Sequence, residues 1–159
     1  MEEKPIIYLL CGLPGSGKTT YAEKLENEST VRLTLDEKLF ETFGKDFPGE
    51  KYAEYEEQTK DAVKQKAEEL VKEGKSVIVD FGFWKKKERD EYRAWAENLG
   101  TIPKLLYFKA TPDELIKRVS GRNTKLDGHT HHIPEKLMRK FIDDFQEPEE
   151  NEGAQVIQS

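Results

Sequence analysis

A glycine-rich segment directly after a short apolar run is the feature that most restricts how this chain can fold. The apolar run extends from Ile6 to Leu10, and the segment that follows reads Gly12-Leu13-Pro14-Gly15-Ser16-Gly17-Lys18-Thr19. This segment fits the pattern G-x-x-x-x-G-K-[ST] at every fixed position. A continuous apolar run of this length is typical of a strand buried on both faces of a parallel sheet. The two features together predict a strand, a tight loop and a helix in succession.

The residue types in this loop predict a site for a chain of phosphates. Its glycines allow a turn tight enough for several backbone N–H groups to face one anion. The helix that begins after the loop adds a favourable potential for negative charge at its N-terminus. The Lys18 ammonium can bridge the β- and γ-phosphates of a nucleoside triphosphate, and the Thr19 hydroxyl can ligate Mg²⁺. We therefore predict that residues 12–19 and the adjoining Thr20 bind ATP and Mg²⁺.

The remainder of the chain alternates between apolar runs and helical patterns. Further strands are expected at 31–35, 76–80, 104–108 and, more weakly, 155–158. Helices are expected at 19–27, 50–73, 85–99 and 111–121, with a last one beginning near Pro134. This alternation predicts right-handed βαβ units and a three-layer α/β fold with a parallel sheet covered on both faces. A length of 159 residues leaves room for one domain, residues 1–159.

Two acidic residues follow predicted strands and are expected at the carboxyl edge of the sheet, where ligands bind in open α/β folds. Asp36 ends the second strand, where its carboxylate can accept the proton of an attacking hydroxyl. An N-cap of the next helix is the alternative role for Asp36. Asp80 closes the strand at 76–80 and can hold the Mg²⁺ shell or orient a substrate; a simple turn residue is its alternative.

Arg118 and Arg122 lie four residues apart and therefore share one face of the predicted helix. They border a polar loop, and guanidinium groups carried by a closing lid can stabilise the charge of a migrating phosphoryl group. Solvated surface arginines are the alternative. The loop also contains His129, His131 and His132, which suggest zinc. No second cysteine or acid lies at ligand spacing, so a flexible polar loop is the favoured interpretation.

Charge and cysteine content restrict the partners and the compartment. The net charge is −6, which argues against a long nucleic acid as partner, although an oligonucleotide end remains compatible. Residues 101–140 carry 9 basic and 4 acidic side chains, so the positive charge is concentrated beside the predicted lid. A single cysteine, Cys11, and the lack of a long apolar segment favour a cytoplasmic protein without a membrane span. Cys11 itself is expected to be a small core residue.

The assembled motifs resemble the P-loop kinase superfamily, in particular small ATP-binding kinases labelled "AAA-type". These are related to polynucleotide kinase, chloramphenicol phosphotransferase and zeta toxins. Besides the glycine-rich loop, the resemblance rests on 35–37, on 79–84 with Arg89 and Arg93, on 118–123, and on 145–148 with Glu152. It implies a sheet of order 2-3-1-4-5 and Asp36 as general base. It further implies Arg118 and Arg122 as arginines of a lid at about 119–133, and a segment near Pro148 beside the adenine.

The resemblance implies a Mg·ATP-dependent kinase that moves the γ-phosphoryl group to a hydroxyl of a small molecule or nucleotide. A 5′-hydroxyl polynucleotide kinase is the alternative within this class. Polynucleotide kinases carry an arginine just after the base acid, whereas Lys38 and Leu39 follow Asp36-Glu37 here. An ATPase or nucleotide-dependent switch is the alternative outside it. The acceptor and the role of the Phe83-Trp84 pair stay open at this stage.

Overall fold

The structure, a computed structural model, describes residues 4–43, 49–123 and 133–158. Within its helices, the side chains of Asp36, Glu37, Phe40, Arg122 and Asn123 lie outside that description. The greater part of the predicted lid, with all three histidines, also lies outside the described residues. The statements below concern the described residues.

Five parallel strands form one sheet in the order β2-β3-β1-β4-β5. They are β1 (Ile6–Cys11), β2 (Thr30–Thr34), β3 (Ser76–Gly82), β4 (Ile102–Lys109) and β5 (Gln155–Gln158). The five strands and their order confirm the predicted fold. The central strand is β1, so the loop that follows it leaves the middle of the sheet at its carboxyl edge. This is the switch point at which open α/β sheets bind ligands.

Six α-helices accompany the strands within the described ranges. They are α1 (Lys18–Leu25), α2 (Leu35–Phe43), α3 (Tyr52–Lys72), α4 (Lys86–Asn98), α5 (Pro112–Asn123) and α6 (Glu135–Asp144). Thr111 caps α5, because its hydroxyl accepts a hydrogen bond from the Glu114 N–H at 3.2 Å. None of these helices combines the length and apolar character that crossing a lipid bilayer requires.

Alternate residues of each strand face opposite sides of the sheet, which therefore has a core on each face. In one core, Leu9 of β1 and Val79 of β3 pack with residues of α3 and α4 such as Val63 and Tyr92. The other core packs strand residues such as Ile78 against Ala22 of α1. Cys11 is fully buried, and burial raises the pKa of its thiol to about 12, so it is a protonated core residue.

A third cluster joins the glycine-rich loop to the last two long helices. Leu13 of the loop packs with Leu115 and Val119 of α5 and with Met138 of α6, all of them buried. Because Leu13 belongs to the loop itself, the packing of α5 and α6 fixes the loop from the side of β4.

Three predicted boundaries need correction. Asp80 does not close its strand, because β3 continues to Gly82. The register of β1 and β3 shifts between Leu9 and Cys11, which accommodates the additional residues beside the loop. Asp36 does not end β2 either: β2 ends at Thr34, and Asp36 is the second residue of α2. The helix α5 runs to Asn123, so the first residues of the predicted lid are helical.

Candidate active site

The loop between β1 and α1 is built on left-handed glycines. Gly15 has φ of 84° and Gly17 has φ of 91°, a conformation that side chains with a Cβ rarely adopt. The Ser16 N–H donates to the Leu13 carbonyl at 3.1 Å and closes the turn. The Gly12 N–H donates to the Gly82 carbonyl at 2.9 Å, which ties the loop to the end of β3. These two hydrogen bonds fix the first turn of the loop, one within the turn itself and one between the start of the loop and β3.

Close neighbours also leave little room for a side chain at two of the glycines. A Cβ at Gly12 would lie 2.6 Å from Ser16 Oγ and 3.2 Å from the Phe108 carbonyl oxygen. A Cβ at Gly15 would lie 3.1 Å from Val119 Cγ2, on α5. The Ser16 Oγ atom is buried and has no hydrogen-bond partner among the described residues. A buried hydroxyl without a partner inside an anion loop fits a site whose ligand supplies the missing contact.

The Lys18 ammonium lies across the mouth of this loop. It donates to the Gly12 carbonyl at 3.0 Å and to the Leu13 carbonyl at 3.2 Å. A triphosphate offers anionic oxygens that compete with these neutral carbonyls for the same donor, and charge-assisted hydrogen bonds are the stronger kind. The predicted position of Lys18 beside the bound phosphates is therefore compatible with its position here.

Thr19 and Asp80 are the two residues predicted for Mg²⁺. Thr19 is the second residue of α1 and is exposed at the carboxyl edge of the sheet. Asp80 lies on β3 beside β1, and α1 packs against β3. A hydroxyl and a carboxylate are oxygen ligands of the kind that Mg²⁺ prefers, with phosphate oxygens and water completing the shell. The donor set at this edge fits the metal.

The course of the backbone places Asp36 at the same carboxyl edge of the sheet. Thr34, the last residue of β2, pairs with Asp80, so the first turn of α2 begins beside the end of β3. Asp36 is in that turn, and its side chain is outside the described part of the structure. The backbone thus brings the helical turn that contains the predicted base beside the strand that carries the predicted metal ligand.

Arg118 reaches the phosphate loop from α5. Its guanidinium donates to the Gly15 carbonyl at 3.2 Å and lies 3.7 Å from the Glu114 carboxylate. Arg122 is one turn further along α5, and its side chain is not described. One of the two predicted arginines is therefore beside the loop in this structure.

A cavity of about 460 Å³ opens beside Leu13 on the other side of the loop. Among its lining residues are Tyr107, Phe145 and Glu147. The rings of Tyr107 and Phe145 stack with centroids 5.8 Å apart. Burial and the nearby Glu147 carboxylate raise the pKa of the Tyr107 phenol, which therefore keeps its proton. An aromatic wall and a carboxylate that can accept hydrogen bonds suit a nucleotide base.

Pro148, predicted beside the adenine, lines a neighbouring cavity of about 310 Å³ that shares Tyr107 and Glu147 with the first. Sequence reasoning did not single out the residues at the end of β4 that form much of the larger cavity. Their signal was weak, because Tyr107 and Phe108 are parts of a buried apolar strand and give no separate pattern.

The chain reverses sharply at the end of β3 to reach α4. Phe83 has φ of 47°, a left-handed conformation that costs a bulky residue about 1–3 kcal/mol. Phe83 is fully buried, and its carbonyl accepts hydrogen bonds from Arg89 Nη1 at 2.8 Å and from Cys11 Sγ at 3.3 Å. Buried packing and these two donors hold the strained residue in place.

The guanidinium of Arg89 is itself fully buried and is paired with Glu152. Arg89 Nε lies 2.8 Å from Glu152 Oε1, and Arg89 Nη2 lies 3.2 Å from Oε2, so the pair is bidentate. Arg93 and the backbone N–H of Glu149 also donate to this carboxylate. Burial alone would raise the pKa of Glu152, but these donors outweigh it and lower the pKa to about 2.

The aromatic residues near the site divide between core and surface. Tyr52 is 41% exposed, and Tyr55 stacks on Phe43 with ring centroids 3.9 Å apart. Phe83 belongs to the core, and Trp95 packs at its border. The described residues thus provide an aromatic surface where the end of α2 meets the start of α3, about two helical turns from Asp36.

The sequence matches the AAA domain family over residues 7–148. Among solved structures, a candidate kinase from Chloroflexus aurantiacus gives a TM-score of 0.75 at 18% identity, over 98% of this chain and 88% of that one. A chain of the Pnkp1/Rnl/Hen1 RNA repair complex gives 0.73 at 22% identity, over 91% and 45%. Kti12 from Chaetomium thermophilum, solved in complex with ADP-AlF3, gives 0.68 at 16% identity, over 96% and 88%.

At these identities the solved structures show a common fold. The present chain spans less than half the length of the RNA repair chain, 45% of it. No curated protein matches the sequence. The family match covers the whole span from β1 to the residues beyond α6 and therefore includes every element that surrounds the glycine-rich loop.

Proposed function

The chain belongs to the AAA domain family, within the P-loop kinase superfamily, and from this premise we propose that it is a Mg·ATP-dependent kinase. Its acceptor is a hydroxyl group of a small molecule or nucleotide. The observation that carries the proposal is the convergence on one loop: Lys18 lies across it and Arg118 contacts it. The strand β3 with Asp80 runs beside β1, and the first turn of α2, which contains Asp36, begins next to β3. A loop that only bound Mg·nucleotide would use Asp80 for the metal but would not need a second acid such as Asp36.

The proposed reaction assigns one task to each of these residues. The adenine base of ATP occupies the cavity beside Leu13. The N–H groups of the loop and the Lys18 ammonium hold the phosphates of ATP. Asp36 accepts the proton of the acceptor hydroxyl, whose oxygen attacks the γ-phosphorus as the bond to the β–γ bridging oxygen breaks. Arg118 and Arg122 stabilise the charge on the migrating group. Thr19 and Asp80 would hold Mg²⁺, which would supply positive charge beside the phosphates. The products are the phosphorylated acceptor and ADP.

A second candidate function is phosphorylation of a 5′-hydroxyl end of an oligonucleotide. The likeness to a chain of an RNA repair complex supports it. The net charge of −6 and the Lys38-Leu39 pair after Asp36-Glu37 count against it. The likeness to Kti12, which was solved in complex with ADP-AlF3, supports nucleotide binding and fits a kinase and a nucleotide-dependent switch equally.

The experiment that tests the proposal is a screen of hydroxyl acceptors with γ-labelled ATP. The panel contains sugars, polyols, nucleosides and a 5′-hydroxyl oligonucleotide. We expect label to move to at least one acceptor class in a time-dependent way. The absence of transfer to any acceptor, together with steady release of free phosphate, would contradict the kinase proposal and support an ATPase.

We expect Asp36→Ala to distinguish phosphorylation of an acceptor from hydrolysis of ATP. General-base catalysis contributes about 10²- to 10⁴-fold, so acceptor phosphorylation should fall by that factor while Mg·ATP affinity changes little. Glu41→Ala, an exposed acid on the same helix, is the matched control and should behave as wild type. Equal ATP hydrolysis by wild type and Asp36→Ala, with no acceptor that raises turnover, would refute the assigned role.

We expect Arg118→Ala to lower phosphoryl transfer by about 100-fold, because it removes a cation that lies beside the loop. The effect on Mg·ATP affinity should be smaller, since the loop and Lys18 remain. Lys117→Ala removes the neighbouring positive charge from an exposed position of α5 and is the matched control. Turnover and KM for ATP measured on the three proteins decide the matter; a turnover of Arg118→Ala equal to that of Lys117→Ala removes Arg118 from the mechanism.

A further inference from the structure

Trp84 touches the phosphate loop from outside the glycine-rich motif. Its indole Nε1 donates to the Gly12 carbonyl at 3.2 Å. That oxygen also accepts the Lys18 ammonium at 3.0 Å, and Gly12 is buried. One carbonyl at the start of the loop therefore has two donors, one from the loop lysine and one from a tryptophan 72 residues away.

The backbone around Trp84 is shaped to bring the indole to this carbonyl. Gly82 has φ of 85° and Phe83 has φ of 47°, so the chain turns back over the loop after β3. A Cβ at Gly82 would lie 3.1 Å from Trp84 Nε1 and 3.3 Å from the Gly12 oxygen. The indole thus occupies the space that a side chain at Gly82 would fill.

Other contacts keep the ring in that position. The indole packs against Phe141 of α6 with ring centroids 4.9 Å apart. The Trp84 carbonyl accepts the Gln146 N–H at 2.8 Å. The Trp84 ring also packs against the cluster formed by Leu13, α5 and α6. This cluster borders the cavity beside Leu13 that is proposed to hold the nucleotide base. Its hydrogen bond to Gly12 is therefore made by a side chain that has little freedom to leave.

The two donors on Gly12 differ in what a nucleotide does to them. Bound phosphates compete for the Lys18 ammonium and draw it away from the carbonyls of Gly12 and Leu13. A buried carbonyl that loses its donor is destabilised unless another partner remains. For Gly12 the remaining partner is the Trp84 indole, which carries no charge and whose ring is held against Phe141.

We propose that Trp84 is a positioning residue for nucleotide binding, which holds the Gly12 carbonyl when Lys18 moves to the phosphates. This proposal rests on the proposed nucleotide site but not on the identity of an acceptor. It predicts that removal of the indole N–H weakens Mg·ATP binding without disturbing the fold. It also predicts that the indole senses the bound phosphates.

The chain contains two tryptophans, and this allows a matched pair of variants. Trp84→Phe keeps an aromatic ring against Phe141 and removes the N–H. Trp95→Phe removes an equivalent bond, from Trp95 Nε1 to Glu68 Oε1 at 3.1 Å, between α4 and α3. We expect the Kd for Mg·ATP, measured by calorimetry, to rise about 3- to 10-fold in Trp84→Phe. It should stay at the wild-type value in Trp95→Phe.

Fluorescence gives a second measurement that leaves Trp84 in place. In Trp95→Phe the emission comes from Trp84 alone, and it should change saturably with Mg·ATP at the concentrations that calorimetry gives. In Trp84→Phe the remaining Trp95 should show no saturable change. A wild type that binds no Mg·ATP would overturn the proposed function together with this inference. Wild-type binding, with equal Kd values in both variants or with no response of Trp84, would overturn this inference alone.

Discussion

Lys18→Ala is expected to lower phosphoryl transfer by about 10²- to 10³-fold and to weaken Mg·ATP binding at the same time. The lysine is the cation at the mouth of the loop, where it donates hydrogen bonds to the neutral carbonyls of Gly12 and Leu13. Removing one preorganised donor from developing charge has effects of this size. Binding of Mg·ATP by calorimetry and turnover with labelled ATP measure the two effects separately.

Lys24→Ala is the matched control for this substitution. Lys24 is an exposed lysine in the last turn of the same helix, so its removal changes the net charge equally. We expect wild-type binding and turnover in that variant. Unchanged nucleotide affinity in Lys18→Ala would contradict the assignment of the phosphate loop, whatever the acceptor.

Arg89→Met is expected to lower the free energy of unfolding by about 3–5 kcal/mol, because it leaves the buried Glu152 carboxylate without its bidentate partner. For a chain of this length that is a fall in Tm of roughly 10 °C. Arg93→Met is the matched control: Arg93 gives the same carboxylate one bond at 3.2 Å and is 21% exposed. Its loss should be about 1 kcal/mol. Equal losses in the two variants would contradict the dominant role of Arg89.

The same ion pair makes stability depend on acid pH. The pKa of Glu152 is about 2 in the fold against an ordinary value of 4.5, so the fold favours the ionised form. Its contribution is complete above about pH 4.5 and is lost as the pH falls toward 2. Denaturant unfolding of wild type and Glu152→Gln across this range measures it. The Glu152→Gln variant should be less stable at pH 7 and should lose less on acidification.

Local sequence patterns were sufficient for the strands, the helices and the α/β fold class. Each strand contributes apolar residues to at least one core, and Gly74 and Gly100 mark helix ends through their left-handed conformations. The phosphate loop was predictable because its glycines are required by backbone geometry alone. The order of the strands needed a resemblance to a known family, since hydrophobic patterning does not say which strands pair.

The surroundings of the loop were harder to predict, because they depend on contacts between distant residues. The Trp84 indole meets Gly12 only after Gly82 and Phe83 turn the chain back, and no local pattern shows a left-handed phenylalanine. Arg89 lies in a helix rich in charge, where a solvent-exposed position is the usual outcome, yet it is fully buried against Glu152. Such pairs form when the C-terminal segment packs on α4, which is a tertiary event.

The central position of β1 has an evolutionary consequence. On one side of β1 the sheet consists of β3 and β2, and on the other side it consists of β4 and β5. Residues 30–43 and 76–84 build the first side, and the cavity beside Leu13 belongs to the second. In the proposed kinase, substitutions that alter acceptor selection can therefore accumulate on one half while recognition of the nucleotide base is inherited unchanged on the other. Descendants of such a kinase can acquire new acceptors without rebuilding the site proposed for the phosphate donor.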